Sequence, residues 1–277
     1  MRGMKMQIKL IASDMDDTLL NHDNKISERN ADAIRSAIEK NVIFMIATGR
    51  MFCSARPYAL DLGLDVPLVT YNGALVKGAK SGEVFYEHKL NYDTALEVLA
   101  YCKKHKYYAQ VYIGDDILVD KKGKWSDKYA EIIGVPITEI GEAVYEIKEA
   151  PYKILVMTEA EDFQPAWKAF AEKFAGKIVV TSSRDNFLEL MEPGVNKWEA
   201  VKSVAESYKI KPEEIMCIGD SNNDLAMIKN AGIGVAVGNA KDSVKEHAKI
   251  VTASNNDDGV AMVVEAILTQ QVDVPEE

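Results

Sequence analysis

Residues 8–19 read Ile-Lys-Leu-Ile-Ala-Ser-Asp-Met-Asp-Asp-Thr-Leu, an apolar-rich run that ends abruptly in carboxylates. The segment Gln7 to Ser13 predicts a short buried strand, with Asp14 to Asp17 at its C-terminal end. Two further apolar segments, Val42 to Ala47 and Pro67 to Tyr71, alternate with helical patterns. Such alternation favours parallel strands joined by right-handed crossovers. We therefore predict an α/β fold built on a doubly wound parallel sheet.

The later two of these strands also end in polar residues, Thr48-Gly49-Arg50 and Asn72. In doubly wound sheets, ligands bind in the crevice at the carboxyl ends of the strands. The Thr48 hydroxyl and the close backbone approach that Gly49 permits suit a phosphoryl oxygen held by several donors. Taken alone, Thr48 is better explained by an ordinary turn.

The strict alternation stops at about residue 85 and resumes after Pro193-Gly194. Between these points, adjacent strands mix with two or three helices, which is the texture of an independent α+β unit. We predict an inserted α+β cap domain over residues 85–191 and a sheet domain split into residues 1–84 and 192–277. A chain of 277 residues accommodates one large and one smaller domain.

Composition excludes several classes of protein. Apolar residues make up 47% and charged residues 27% of the chain, as in ordinary globular proteins. A formal net charge of −10 would repel a polyanion, and the sequence has no basic stripe, so we expect no nucleic-acid partner. A small anion in a local pocket remains compatible with this charge.

The cysteines and the apolar runs indicate a cytoplasmic protein. Cys53, Cys102 and Cys217 are odd in number and lack CxxC spacing, which favours reduced, buried thiols over disulfides or a zinc site. No apolar run approaches the length that spans a bilayer, and the first residues lack a signal-peptide core. We expect no membrane partner.

A second acidic cluster, Gly219-Asp220-Ser221-Asn222-Asn223-Asp224, follows another predicted strand. An isolated Asp-x-Asp motif such as Asp14 and Asp16 is at least as often a solvated turn. Carboxylates from two strand ends, however, form a hard oxygen site suited to Mg²⁺. The two clusters therefore support each other as a metal site, although Asn222 or Asn223 acting only as a helix cap is the simpler alternative.

Lys197 follows a predicted N-cap, Asn196, at the start of a helix. The helix dipole disfavours a cation there, so an anion held nearby explains the residue better. The dipole effect is small, and the argument is weak without the other motifs.

Taken in order, DMDDTL, TGR, GVNK and GDSNND resemble the motifs of the haloacid dehalogenase superfamily of phosphatases. Tyr71-Asn72-Gly73-Ala74 resembles the Cof-type branch, and residues 85–191 stand where members with a large α+β (C2-type) cap carry it. The resemblance covers essentially the whole chain and implies a Rossmann-like core. Trp198 departs from the small glycine found after the lysine in many Cof-type sequences, which concerns local packing.

The resemblance implies a role for each matching residue. Asp14 is expected to be the nucleophile and Asp16 the general acid and base. Asp14, Asp220 and the backbone of Asp16 are expected to hold Mg²⁺. Phosphate binding is expected from Thr48, Gly49, Lys197 and Asn223. Support for the site is expected from Asp224 and Asn72.

The implied activity is Mg²⁺-dependent hydrolysis of a small phosphorylated metabolite by a monomer or homodimer. A phosphomutase of the same superfamily is an alternative, because Asp16 serves both reactions. A non-catalytic phosphoacceptor or binding protein is a remote one, because receiver-like proteins carry the acceptor mid-chain. Substrate selection is expected in the cap, with Arg184 and the turn Gly114-Asp115-Asp116 as candidates; a surface cation and an ordinary hairpin are the simpler explanations.

Overall fold

The computed structural model describes residues 7–182 and 184–269. The strands are β1 Leu10–Ser13, β2 Ile43–Ile46, β3 Pro67–Thr70, β4 Leu75–Gly78, β5 Val84–Glu87, β6 Tyr108–Ile113, β7 Asp116–Val119, β8 Ile137–Glu139, β9 Lys153–Met157, β10 Val179–Thr181, β11 Phe187–Met191, β12 Ile215–Gly219, β13 Ile233–Ala236 and β14 Ile250–Val251. The helices are α1 Glu28–Glu39, α2 Phe52–Asp61, α3 Tyr92–His105, α4 Lys124–Ile133, α5 Ala160–Lys173, α6 Lys197–Ser207, α7 Leu225–Asn230, α8 Asp242–Lys245 and α9 Gly259–Leu268.

A five-stranded parallel sheet of order β14-β13-β12-β1-β2 forms the centre of the molecule. Alternate residues of β1 face two different apolar layers: Leu10 and Ala12 pack with α6, whereas Ile11 packs on the opposite face. A sheet buried on both faces requires nearly continuous apolar strands, which explains the β1 sequence. The predicted doubly wound α/β fold is confirmed, and β12 lies directly beside β1.

A small antiparallel sheet of order β3-β4-β5 flanks the parallel one. Pro67 to Tyr71 lies parallel to the end of β2, as predicted, through the bridge of Ala47 with Val69 and a hydrogen bond from the Thr48 N–H to the Val69 carbonyl. Its ladder, however, pairs antiparallel with β4. The chain reverses immediately after β3, because Tyr71 and Asn72 adopt φ values of 51° and 56°. The next segment therefore returns as β4 instead of crossing over through a helix.

The six-stranded sheet β10-β11-β9-β6-β7-β8 and helices α3 to α5 form a unit between β5 and α6, here called the cap; the rest is the core. One face of the cap sheet packs against α3 and α5. The other face, which includes Tyr112, Leu155 and Phe187, belongs to the same apolar cluster as core residues. Strand β5, which contains the predicted boundary at residues 84/85, pairs with β4 of the core.

Several local predictions can be compared with the structure. Asn196 caps α6 through its side chain, as expected. The Ser27 side chain likewise caps α1. Cys102 and Cys217 are buried, but Cys53 is only partly so, which corrects the expectation of three buried thiols. Trp198 is buried in the apolar layer beneath β1. Among residues 7–182 and 184–269, no helix is both long enough and apolar enough to cross a bilayer.

Candidate active site

The ends of β1 and β12 bring the two acidic clusters together. The pairing of Ser13 with Ile218 continues into a hydrogen bond from the Asp14 backbone N–H to the Ile218 carbonyl, 2.9 Å long. One carboxylate oxygen each from Asp14, Asp220 and Asp224 lies within 4.8 Å of the other two. Adjacent parallel strands thus place carboxylates from distant parts of the chain at one sheet edge, a group that could hold a metal ion.

Lys197 joins this cluster from the first turn of α6. Its Nζ lies 2.5 Å from Asp14 Oδ1 and 2.6 Å from Asp224 Oδ1, and its side chain is completely buried. Burial acts to lower the pKa of Lys197, but the Asp14 and Asp224 carboxylates outweigh it, so the pKa lies above its ordinary value. Lys197 therefore remains a cation in contact with the predicted nucleophile.

One lysine cannot balance the negative charge of three clustered carboxylates. Burial raises the pKa of Asp14 to about 8, although Lys197 opposes the shift. Burial, followed by repulsion from Asp224 and Asp14, also raises the pKa of Asp220. This excess of buried negative charge is what a divalent cation would neutralise.

Both carboxylate oxygens of Asp224 accept hydrogen bonds within the protein. Its Oδ1 accepts from Lys197, and its Oδ2 accepts the backbone N–H groups of Asp220 and Ser221, each at 3.0 Å. A Cβ at Gly219 would lie 2.5 Å from the Asp224 side chain, so only glycine fits beside it. These contacts fit a supporting role for Asp224. Asp14 and Asp220 are therefore the better candidates for metal ligands.

Asp16 is held by Arg50, a residue that the site prediction omitted. Arg50 Nε lies 3.0 Å and 2.9 Å from the two Asp16 carboxylate oxygens, and Nη2 lies 2.5 Å from Oδ1. The guanidinium also lies over the Tyr58 ring, 5.5 Å from its centre. A bidentate ion pair fixes both the position and the plane of a carboxylate. The signal was present in the sequence as the last residue of Thr48-Gly49-Arg50.

Thr48 and Gly49 lie at the end of β2, as predicted, but only Gly49 borders the cavity described below. The Thr48 hydroxyl is buried and accepts the Arg50 backbone N–H at 3.0 Å. A Cβ on Gly49 would lie 2.9 Å from Asn72 Oδ1, so a side chain there would displace the Asn72 amide. The glycine is therefore required for close packing between the two strand ends.

Asn72 and Asn223 meet behind the cavity. Asn223 Nδ2 donates to Asn72 Oδ1 at 2.9 Å, and the Ser221 hydroxyl donates to Asn223 Oδ1 at 2.7 Å. Asn72 Nδ2 also donates to Glu189, which the sequence prediction did not single out. The alternative that Asn222 or Asn223 only caps a helix was wrong: α7 begins after Asp224 without a side-chain cap, and Asn222 Nδ2 donates to the Ser182 hydroxyl instead.

A cavity lies between the core carboxylates and the cap. Its core wall includes Asp14, Asp16 and Asp220, and its cap wall consists of Tyr129, Ile133, Arg184, Phe187 and Glu189. The Phe187 ring packs edge-on against Tyr129 at 5.7 Å, and the Arg184 guanidinium lies 5.8 Å from the Phe187 ring centre. Arg184 thus faces the cavity, whereas the turn at Gly114 accepts a hydrogen bond from Tyr71 of the core.

Comparison with known proteins identifies the family. The family model for haloacid dehalogenase-like hydrolases matches residues 11–264, and the chain belongs to that family. A Bacillus subtilis protein named 5-amino-6-(5-phospho-D-ribitylamino)uracil phosphatase is 33% identical over 94% of this chain and 95% of its own.

Solved structures of the family have the same fold. A haloacid dehalogenase-like hydrolase from Bacteroides thetaiotaomicron is 30% identical, with a TM-score of 0.84 over 94% of this chain and 100% of its own. One from Bacillus subtilis is 27% identical, with a TM-score of 0.85 over 93% and 99% of the two chains. The protein is accordingly a phosphatase of this hydrolase family.

Proposed function

We propose that the protein hydrolyses a small-molecule phosphomonoester in a Mg²⁺-dependent reaction that passes through an aspartyl phosphate on Asp14. The observation that carries the proposal is the position of Asp14: its carboxylate borders the cavity and lies 2.5 Å from the buried ammonium of Lys197. A nucleophilic carboxylate needs a nearby cation to offset the charge of the phosphoryl group that it attacks.

The reaction has two steps. In the first, a carboxylate oxygen of Asp14 forms a bond to phosphorus, the ester P–O bond breaks, and the leaving alcohol takes a proton from Asp16. In the second, Asp16 accepts a proton from a water molecule as that water attacks phosphorus. The bond between phosphorus and Asp14 then breaks, and inorganic phosphate is released.

Arg50 affects the proton transfers through its ion pair with Asp16. Protonation turns one oxygen of Asp16 into a hydroxyl and removes the negative charge, so the ion pair with Arg50 is weaker while Asp16 carries the proton that it donates. We propose that Arg50 holds Asp16 in position between turnovers and stabilises the carboxylate after the proton has left.

The residues fit a magnesium ion. Asp14, Asp220 and the backbone carbonyl of Asp16 are the proposed ligands, because the oxygens of Asp224 are occupied by Lys197 and two backbone N–H groups. When bound, Mg²⁺ supplies positive charge at the phosphoryl oxygens and orders them for in-line attack. Lys197, Gly49 and Asn223 are the proposed protein contacts of the phosphoryl group. Asn72 supports them, as does Thr48, whose buried hydroxyl accepts the Arg50 backbone N–H.

The cap wall is proposed to select the substrate. The name of the 33% identical relative supports 5-amino-6-(5-phospho-D-ribitylamino)uracil as the first compound to try. The aromatic pair of Tyr129 and Phe187 offers a surface on which a planar ring would stack. A phosphomutase reaction remains the second candidate, because Asp16 is retained.

The test is a phosphate-release screen over phosphorylated metabolites with Mg²⁺, using wild type and Asp14→Asn. We expect release by wild type and none by the folded variant, since the amide preserves shape but is not a nucleophile. Release by Asp14→Asn within about tenfold of wild type would contradict the mechanism. Incubation with a hexose 1-phosphate, followed by assay of both isomer and free phosphate, separates hydrolysis from mutase activity.

A further inference from the structure

A buried ion pair of the cap reaches into the core beside the cavity. Lys153 of β9 and Glu189 of β11 are 3.3 Å apart, and their side chains are 1% and 3% exposed. Burying two charges is costly unless additional hydrogen bonds satisfy them. Here those additional bonds cross to the core: Lys153 Nζ donates to the Gly49 carbonyl at 3.0 Å, and Glu189 accepts from Asn72.

The Glu189 carboxylate fixes which atoms donate and which accept along this series of side-chain hydrogen bonds. A carboxylate only accepts hydrogen bonds, so Asn72 must turn its Nδ2 towards Glu189 and its Oδ1 towards Asn223. Asn223 must then present Nδ2 to Asn72, and its Oδ1 accepts from Ser221 instead. The second N–H of Asn223 Nδ2 stays available to a phosphoryl oxygen, whereas the opposite amide orientation would set oxygen against oxygen.

Asn72 can pass this donor and acceptor order on to Asn223 because its backbone conformation is fixed. The residue has a φ of 56°, a left-handed conformation that asparagine tolerates better than most residues. The next residue, Gly73, packs so closely on the start of α6 that a Cβ would lie 2.3 Å from the Asn196 carbonyl. The turn is therefore wedged between the cap and the helix that carries Lys197.

We propose that Glu189, held by Lys153, is a positioning residue that orients the Asn72 and Asn223 amides for phosphoryl binding. This inference rests on the proposed function, since it assigns Asn223 to the phosphoryl group. It adds that the phosphoryl site of the core is complete only when the cap supplies its carboxylate. The cap would thereby improve phosphate binding without a direct contact between Glu189 and phosphate.

The experiment measures binding of inorganic phosphate in the presence of Mg²⁺ by isothermal titration calorimetry. Glu189→Gln turns an amide N–H towards the donor of Asn72, and Asn72→Asp sets a second carboxylate against Glu189, so we expect each to weaken phosphate binding by about tenfold. The double variant Asn72→Asp/Glu189→Gln moves the carboxylate to position 72. That introduced carboxylate would accept from both neighbours, while the oxygen of the amide introduced at position 189 would face Lys153. Binding by the double variant should therefore recover to within about threefold of wild type.

Glu159→Gln, which alters an exposed ion pair of the cap with Lys124, is the matched control and should bind phosphate like wild type. Urea unfolding verifies that every variant is folded. Recovery in the double variant supports the inference, because a purely structural ion pair would leave it at least as weak as Glu189→Gln. Wild-type binding by Glu189→Gln, or a double variant no better than either single variant, overturns it.

Failure of the proposed function would look different. If wild type binds no phosphate and releases none from any phosphomonoester, the phosphoryl site itself is refuted, and this inference falls with it. If wild type releases phosphate but the four proteins of the cycle bind it equally well, only the role of Glu189 is refuted.

Discussion

The ammonium of Lys197 lies 2.5 Å from Oδ1 of Asp14, and the side chains of the two residues are 0% and 6% exposed. The same ammonium contacts Asp224. One buried cation therefore serves two carboxylates, so Lys197 contributes both to the fold and to the charge balance of the site.

Removing this cation should destabilise the protein. Lys197→Met leaves two buried carboxylates without their partner, and we expect the free energy of unfolding to fall by about 3–5 kcal/mol in Mg²⁺-free buffer. Denaturant titration provides the measurement. Lys202→Met, on the same helix with a side chain 40% exposed, should change stability by less than about 0.5 kcal/mol. Equal effects of the two substitutions would contradict the assignment.

The contact between Arg50 and Asp16 predicts a substrate-dependent effect of Arg50→Lys. Lysine cannot form the bidentate pair, so Asp16 would lose its fixed orientation. We expect kcat on an alkyl phosphate to fall by up to about 10²-fold, and kcat on an activated aryl phosphate to fall much less, because its leaving group needs little protonation. Arg56→Lys, on the helix α2 that follows Arg50 in the chain, is the control. An equal loss on both substrates would indicate that Arg50 acts elsewhere.

Magnesium should stabilise the folded protein through the carboxylate cluster. At a concentration near 100 times its Kd, Mg²⁺ would add about 2.7 kcal/mol, which for a chain of 277 residues corresponds to a rise in Tm of roughly 5 °C. Asp220→Asn should abolish most of this rise, whereas Asp242→Asn, which is 97% exposed, should retain it. Calcium should be a poorer substitute in the activity assay, since it prefers looser coordination. A full Mg²⁺-induced shift in Asp220→Asn would count against the site.

The Cys53 thiol should lose its proton only at unusually high pH. Burial, followed by the Asp115 carboxylate, raises the pKa of Cys53 from 9.0 to about 11. A raised thiol pKa reduces the reactive thiolate at every lower pH, so alkylation by iodoacetamide at pH 8 should be about 100-fold slower than for an exposed cysteine. The rate should rise through pH 10 without a plateau, and Asp115→Asn should increase it. A plateau near pH 9, seen by mass spectrometry of the alkylated peptides, would be inconsistent with this structure.

Much of the site was predictable because its residues follow strands. Asp14, Thr48 and Asp220 each end an apolar segment, and parallel pairing brings such ends together whatever the distance along the chain. The order of the four motifs then identified the family. The antiparallel pairing of Pro67 to Tyr71 with β4 was not predictable, because it depends on a left-handed turn at Tyr71 and Asn72 that is held by packing against α6.

The contacts between the cap and the core also could not be predicted from the sequence. Lys153 and Glu189 lie within apolar strands, where a single charged residue reads as an edge or surface position. Their role depends on burial between two separately formed sheets and on a core loop that supplies partners for both charges. Neither periodicity nor local spacing contains that information.

The most direct test of the account is to locate the covalent phosphoryl group. Asp16→Asn should react with an activated aryl phosphate but hydrolyse the aspartyl phosphate slowly, since the base for water is missing. Acid quenching during the resulting burst, reduction of the acyl phosphate with borohydride and peptide mass spectrometry should then reveal homoserine at position 14. Absence of any phosphoenzyme during turnover, or homoserine at another aspartate, would contradict the assignment of Asp14 as the nucleophile.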